Sequence, residues 1–508
     1  MLNNIIATKT KTFIYSLLAL NLNASQPNII YIKTDDQRYD SLSMTGHPVT
    51  QTPHLDQLAK DGAFFDQAVI TSPICGPSRA NTFSGQWERK NQIGFSGYLG
   101  NDMTSEVFDN SWLMRLQSAG YETGYIGKNH VNIGLGKNKH YMQKSLDFAY
   151  IHKGHIGFHL SRYSKFSNLK NQTQVEGLME ATEAFLEPSD KEYFYSNADA
   201  SVVDFLKRRN HEKPFALSIN FNLPHASSIG GMGGKASDPD LYKTLYSEKL
   251  DHFPLPKGFP NIPEPLPSTV FQRSELMPYY QYKTKNGLID TMVKMARANT
   301  AIDLFIGSLR EHLNRMAIAD NTIIVFASDH GLLLGEKGLG GKTFLYEDSV
   351  RIPLIIYAPF LNDQHAAKRH QQLVVGQDIP ATILDLCGTA IPDTYQGKSL
   401  VPILKGIDSE WREDVFLENL FTKQGYPRME AVRSHQWKYI RYFSKEHDRD
   451  QYLPHHTSEK AEEPIYEELF NLVNDPQEEH NLAGDHLHLA TLNMYRARCK
   501  KLVYELAQ

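Results

Sequence analysis

Residues 27–36 read PNIIYIKTDD. Ile29, Ile30, Tyr31 and Ile32 form an apolar, mostly β-branched run, bounded by Pro27 on one side and by Asp35 and Asp36 on the other. The run is too short for a helix and does not alternate with polar residues, so it reads as a fully buried strand from about Asn28 to Lys33. A strand buried on both faces belongs in a parallel sheet with helices on each side. The segments around it fit that frame. TPHLDQLAKDG (52–62) reads as a helix stopped by Gly62, and AFFDQAVI (63–70) as a strand. DNSWLMRLQSAG (109–120) reads as a helix capped by Asp109 or Asn110, before a strand in YETGYIGKNH (121–130). A helix is expected at 196–209 and a strand in PFALSINFNLPH (214–225). A long helix covers about Ile289–Met316, strands follow in NTIIVFASDHG (321–331) and IPLIIYAP (352–359), and DIPATILDLCG (378–388) is a helix closed by Gly388. Alternating strands and helices predict an α/β fold, a mostly parallel sheet sandwiched by helices.

Residues 227–275 are rich in Gly, Pro and Ser and read as a long surface excursion. After about residue 405 the pattern changes to short alternating runs and a polar terminal helix, which predicts a smaller antiparallel α+β subdomain. A chain of 508 residues exceeds what one core usually holds, in keeping with this division. The formal charge of −5 argues against nucleic acid as a partner. Cys75, Cys387 and Cys499 are too few and too far apart for a disulfide framework. At the N-terminus, Lys9 and Lys11 precede an apolar run from Phe13 to Leu20, with Ala24 and Ser25 beyond it. Residues 1–25 therefore read as a signal peptide, which implies a periplasmic or secreted protein. No segment is long enough for stable membrane insertion.

In an open α/β sheet, ligands bind beyond the carboxyl ends of the strands. Four strands end in chemistry there: Asp35 and Asp36, Lys128 and His130, His225, and Asp329 with His330. One such residue is an ordinary cap or surface group, whereas four together point to a shared site. The stretch SPICGPSRANTFSG (72–85) joins them. Pro77 suits a first helical turn and Gly85 a helix end, so Cys75 sits at a helix N-terminus with Arg79 one turn in. That place suits a thiolate or a bound oxyanion, although a buried inert cysteine fits the local sequence as well. The thiolate-loop phosphatases put five residues between Cys and Arg, and this chain has three.

Cys75-Gly76-Pro77-Ser78-Arg79 resembles the C-x-P-S-R signature of the type I sulfatases, in the alkaline phosphatase superfamily. NIIYIKTDDQRYDSLSMTGH (28–47), GYETGYIGKNH (120–130), SDHGLLLGEKGLGGKTFLYEDSVRIPLIIYAP (328–359) and ELFNLVNDPQEEHNLA (468–483) extend the likeness in family order. The resemblance implies an alkaline-phosphatase-like catalytic domain at 26–404 and a C-terminal subdomain at 405–508. It also implies that a separate maturation enzyme oxidises Cys75 to formylglycine (3-oxoalanine), whose hydrate attacks sulfur. Asp35, Asp36 and Asp329 are hard oxygen donors suited to Ca²⁺ or Mg²⁺. The resemblance implies Ca²⁺, with residue 75 and His330 as further ligands. By the same likeness Arg79 and Lys128 hold the hydrate and His130 takes a proton from it. His225 and Lys342 face the sulfate and the leaving oxygen, one of them as general acid. The chain departs from the family after His225, where residue 227 is Ser in place of a frequent proline.

The implied activity is hydrolysis of sulfate esters, and the segment FLYEDSVR (344–351) resembles those of polysaccharide and glycosaminoglycan sulfatases. An exo-acting enzyme on sulfated oligosaccharides is expected. Sugar recognition is expected from loops away from the catalytic core, HKGHIGFHLSRY (152–163) and GYPRMEAVRS (425–434), through His155, Arg162 and Arg428. A phosphonate monoester or phosphodiester hydrolase of the same superfamily is the rival reading. A non-catalytic sulfated-glycan binder would be expected to have lost Cys75, Arg79 or an aspartate, and all of them stand.

Overall fold

The computed structural model describes residues 26–95, 102–133, 141–152, 155–159, 173, 201–262, 266–271, 284–361, 368–407, 410–422, 425–444 and 462–508. The expected signal peptide and Arg162 lie outside these residues.

The opening run forms strand β1, Asn28–Thr34, with every residue buried. It is central because both its faces are apolar. Ile30 and Ile32 pack into one core with Leu55, Leu58, Ile302 and Phe305. Ile29 and Tyr31 pack into a second core with Trp112, Leu113, Ile379 and Ile383. The helices behind these residues are α1 (Pro53–Asp61), α3 (Trp112–Ser118), α4 (Lys285–Arg315) and α5 (Asp378–Leu386). Among the described residues the sheet holds eight strands: β1, β2 (Ala63–Phe65), β3 (Glu122–Lys128), β4 (Phe148–His152), β5 (Phe215–Asn220), β6 (Thr322–Ser328), β7 (Leu354–Tyr357) and β8 (Lys368–His370). Their order is β8-β2-β7-β6-β1-β5-β3-β4. Strand β1 runs parallel to both neighbours, with Ile30 opposite Leu217 and Ile324. Among the described strands of this sheet, only β7 runs antiparallel to both of its neighbours.

Three expectations are corrected. AFFDQAVI is two strands, Ala63–Phe65 and Ala68–Val69, because Asp66 turns aside to bind Tyr39 and Arg369. The cap of α3 is Ser111, whose side chain accepts from the Met114 N–H, so neither Asp109 nor Asn110 caps it. The excursion after residue 227 is not merely superficial. Tyr242, Tyr246 and Phe253 are buried, and Arg297 of α4 donates to the Leu245 carbonyl at 2.8 Å and the Tyr242 carbonyl at 3.0 Å.

Helix α2, Cys75–Ser84, is buried at all ten positions. It ends at Gly85, whose φ of 67° is left-handed and whose missing Cβ admits the Tyr395 ring. The C-terminal part is an antiparallel meander, β9 (Asp414–Asn419), β10 (Met429–Ser434), β11 (Trp437–Tyr442) and β12 (Tyr466–Asn471), with α6 (Leu489–Glu505) packed on it. Its apolar face shares a core with Val69, Ile74 and Phe344–Tyr346. Buried charges tie the same seam: Arg89 meets Glu418 at 2.7 Å and Glu430 at 3.0 Å. Removing one partner of such a network leaves an uncompensated buried charge. Arg89→Ala is expected to lower unfolding stability by about 3–5 kcal/mol in a denaturant titration. A loss within about 0.5 kcal/mol, typical of a surface site, would contradict the network's structural role.

Candidate active site

The site lies beyond the carboxyl ends of β1, β3, β4, β5 and β6. Asp35 and Asp36 follow β1, and Asp36 takes a left-handed φ of 65°, a conformation that Asp tolerates better than most residues. Its N–H donates to Asp329 Oδ1 at 3.2 Å, and the Asp329 N–H donates to the Thr34 carbonyl at 3.0 Å. The two neighbouring strand ends are thereby stitched together past the sheet. Cys75 opens α2, with Sγ 3.0 Å from Lys342 Nζ, 3.4 Å from His330 Nε2 and 3.6 Å from Asp35 Oδ1. Arg79, one turn on, brings Nε to 3.0 Å and a terminal nitrogen to 2.9 Å from Asp329 Oδ2. It also donates to the Lys128 carbonyl at 3.0 Å.

Lys128 closes β3 and pairs with Asp35. The backbone at Gly127 makes this possible: its φ is 102°, and a Cβ there would lie 2.0 Å from the Asn220 carbonyl oxygen. Lys342 pairs with Asp36 Oδ1 at 2.8 Å. Its segment is held to the chain before α2 by the Thr343 N–H, which donates to the Pro73 carbonyl at 2.9 Å. His130 follows β3, with its ring 5.0 Å from that of Phe95, which in turn meets Phe421 at 5.1 Å. The C-terminal part thus reaches the site through an aromatic relay from Phe421 by way of Phe95. His225 follows β5 and stacks on His155 at 3.7 Å.

Asp35, Asp36, Cys75, Asp329 and His330 are 0% exposed, so their charges act on one another with little screening. Burial raises the Cys75 thiol, but Lys128, Lys342 and His330 outweigh it and hold the group well below its ordinary value. Burial and the neighbouring Asp329 push Asp35 well up. Asp329 resists burial through His330 and Arg79 and falls to about 2. His330 resists burial through Asp329 and rises to about 9. Burial lowers His130 to about 4, and it lowers His225 and His155 too, with Lys342 and Lys128 adding to it respectively.

The residues fit a hard cation. Asp35, Asp36, Cys75 and His330 each bring one ligand atom to within 4.8 Å of the others. Asp36 Oδ2 is a buried acceptor that meets no hydrogen-bond donor among the described residues. Carboxylate oxygens in excess suit calcium or magnesium better than zinc. Asp329 stands beside this group, its Oδ1 at 3.5 Å from His330 Nε2 and its Oδ2 taken by Arg79.

Of the residues expected from the sequence, Cys75, Arg79, Lys128, His130, His225, Lys342, Asp35, Asp36, Asp329 and His330 come together. His155 is corrected from a remote loop to the cluster itself. It follows β4, and its Nε2 lies 2.8 Å from Lys128 Nζ. The sequence signal was the run FAYIH (148–152), a short strand preceding it. Arg428 is corrected in the other sense. It is 4% exposed, pairs with Glu462 and lies 3.7 Å from the Phe443 ring, so it is held within the C-terminal part.

Comparisons with known proteins agree with this geometry. The family model of the sulfatases matches residues 27–389, and the model "N-sulphoglucosamine sulphohydrolase, C-terminal" matches residues 335–505. An arylsulfatase of Clostridium perfringens is 27% identical, covering 78% of this chain and 82% of its own. An ulvan-active sulfatase of Formosa agariphila is 25% identical, covering 95% and 82%. An N-acetylglucosamine-6-O-sulfatase of Bacteroides thetaiotaomicron is 24% identical, covering 95% and 88%. Among solved structures, a protein in complex with its substrate D-glucosamine-2-N,6-O-disulfate superposes with a TM-score of 0.66 at 20% identity, covering 95% of this chain and 98% of that one. The phosphonate monoester hydrolase of Agrobacterium radiobacter superposes with a TM-score of 0.66 at 18% identity, covering 94% and 96%. Such superpositions speak to the fold alone, and the family match decides between them: the chain belongs to the sulfatases and is a sulfuric ester hydrolase.

Proposed function

We propose that the protein removes sulfate from a sulfated oligo- or polysaccharide, using a formylglycine made from Cys75 and a calcium ion. The observation that carries this reading is the cationic ring around Cys75. Lys342 and His330 lie within 3.4 Å of Sγ at the N-terminus of α2, and Lys128 and Arg79 stand behind them. A buried place that favours negative charge suits a sulfate under attack. Relatives named as an N-acetylglucosamine-6-O-sulfatase and an ulvan-active sulfatase support a sugar as the leaving group. The rival phosphonate or phosphodiester activity shares the fold, and paired sulfate and phosphate esters of one alcohol test it. Sulfate turnover at least about tenfold faster is the expected result.

Cys75 Sγ marks where the reacting oxygens of the matured residue would sit. Once matured, residue 75 supplies a hydrated aldehyde as the nucleophile. A calcium ion would be held by Asp35, Asp36, Asp329, His330 and residue 75, where it would polarise a sulfate oxygen. Arg79 and Lys128 hold residue 75 and offset charge beside it. His130 accepts a proton from the hydrate of residue 75. Its lowered affinity for protons keeps the ring neutral and ready to accept one. Lys342 and His225 bracket the departing oxygen, and one of them supplies its proton. Residues 26–404 carry this chemistry, and residues 405–508 border its mouth. The chain would be exported after cleavage of residues 1–25, and a maturation enzyme would be its partner during synthesis.

Cys75→Ala is expected to abolish turnover while circular dichroism stays unchanged. Retained activity would remove Cys75 from the mechanism. Chelation should lower both activity and melting temperature, and readdition of calcium should restore both. A melting point indifferent to chelator would contradict a bound cation. His155→Ala should cut kcat/KM by about tenfold or more on a small aryl sulfate and on an oligosaccharide sulfate alike, because its ring lies within the cluster. A loss confined to the oligosaccharide would return His155 to a remote subsite.

A further inference from the structure

His225 is fixed from two sides. The ring of His155 covers one face at 3.7 Å, with the planes 23° apart. The Nδ1 edge faces Ser227, whose backbone N–H lies 3.1 Å away and whose Oγ lies 2.7 Å away. A backbone N–H can only donate, so Nδ1 must accept, and a neutral ring then carries its proton on Nε2. That nitrogen points inward. It lies 3.6 Å from Asp36 Oδ2, beyond hydrogen-bond distance, which leaves its proton for another acceptor. Ser227 is itself exposed, in the first turn of the short helix Ala226–Ile229, where amide protons have no acceptor within the helix.

We propose that Ser227 is a positioning residue whose amide holds His225 as an Nε2–H donor to the bridging oxygen of the sulfate ester. This rests on the reading of His225 as a site residue given above. A ring held in this way shares its Nε2 proton and keeps it, because releasing it would leave an imidazolate. When the S–O bond breaks, its electron pair moves to the bridging oxygen. The proton that oxygen takes up then comes from the Lys342 ammonium, and His225 contributes a hydrogen bond. A proline at 227, the residue this chain lacks relative to the family's frequent pattern, would remove both of the donors that hold His225 in this chain, whereas alanine removes only the hydroxyl.

The direct test is nitrogen NMR of the full chain with labelled histidine, the His225 signals being identified by their loss in His225→Gln. The wild-type ring should show a protonated Nε2 and a bare Nδ1. Ser227→Ala should keep that pattern, and Ser227→Pro should lose it. In parallel, Ser227→Pro should lose about tenfold or more in kcat/KM on phenyl sulfate, a poor leaving group. It should lose no more than about threefold on 4-nitrophenyl sulfate, which leaves readily without help. A wild-type ring protonated on Nδ1 would overturn the proposal. So would a Ser227→Pro enzyme with an unchanged tautomer and an unchanged ratio between the two esters. If His225→Gln left both rates intact, the functional reading of His225 beneath the proposal would fall, whatever the tautomer.

Discussion

The ion pair between Arg79 and Asp329 holds α2, the helix that opens with Cys75, to the end of the sheet. Both of its guanidinium contacts reach Asp329 Oδ2, and neither residue is more than 1% exposed. Taking such charges out of water costs several kcal/mol each, and their mutual attraction has to offset that. The compensation is spread over a network: Arg79 also donates to the Lys128 carbonyl, and Asp329 Oδ1 accepts from the Asp36 N–H. One pair therefore fixes α2 and the ends of β1, β3 and β6 relative to one another. Cys75 inherits its position from that arrangement.

The same economy of contacts joins the C-terminal sheet to the site. Its strands share a core with the segment that carries Lys342, and Arg89 binds Glu418 and Glu430 across the seam. Phe421 touches Phe95, and Phe95 touches His130. A shift in the smaller sheet would thus be felt at the site through packing.

Much of this was legible in the sequence. The central strands announced themselves because each is an apolar run closed by polar residues, and β1 and β6 fall where NIIYIK and TIIVFAS stand. The Cys75 helix was legible from Pro77 and Gly85, whose backbone constraints are local. What failed depended on partners distant in the chain. Asp66 breaks a strand because Arg369 and Tyr39 bind it, and nothing near Asp66 in the sequence says so. Arg428 looked like a loop cation. Glu462 and Phe443 bury it, and burial of that kind follows from tertiary packing. His155 is recognisable by residue type, but its place in space depends on the short strand before it, whose five residues carry a weak signal.

The account turns on the chemical form of residue 75. Peptide mass spectrometry of enzyme purified in a turnover-competent state measures that form directly. The peptide spanning residue 75 should be lighter than its encoded mass and should react with a carbonyl-specific reagent. A fully active preparation in which that peptide keeps its thiol would contradict the account.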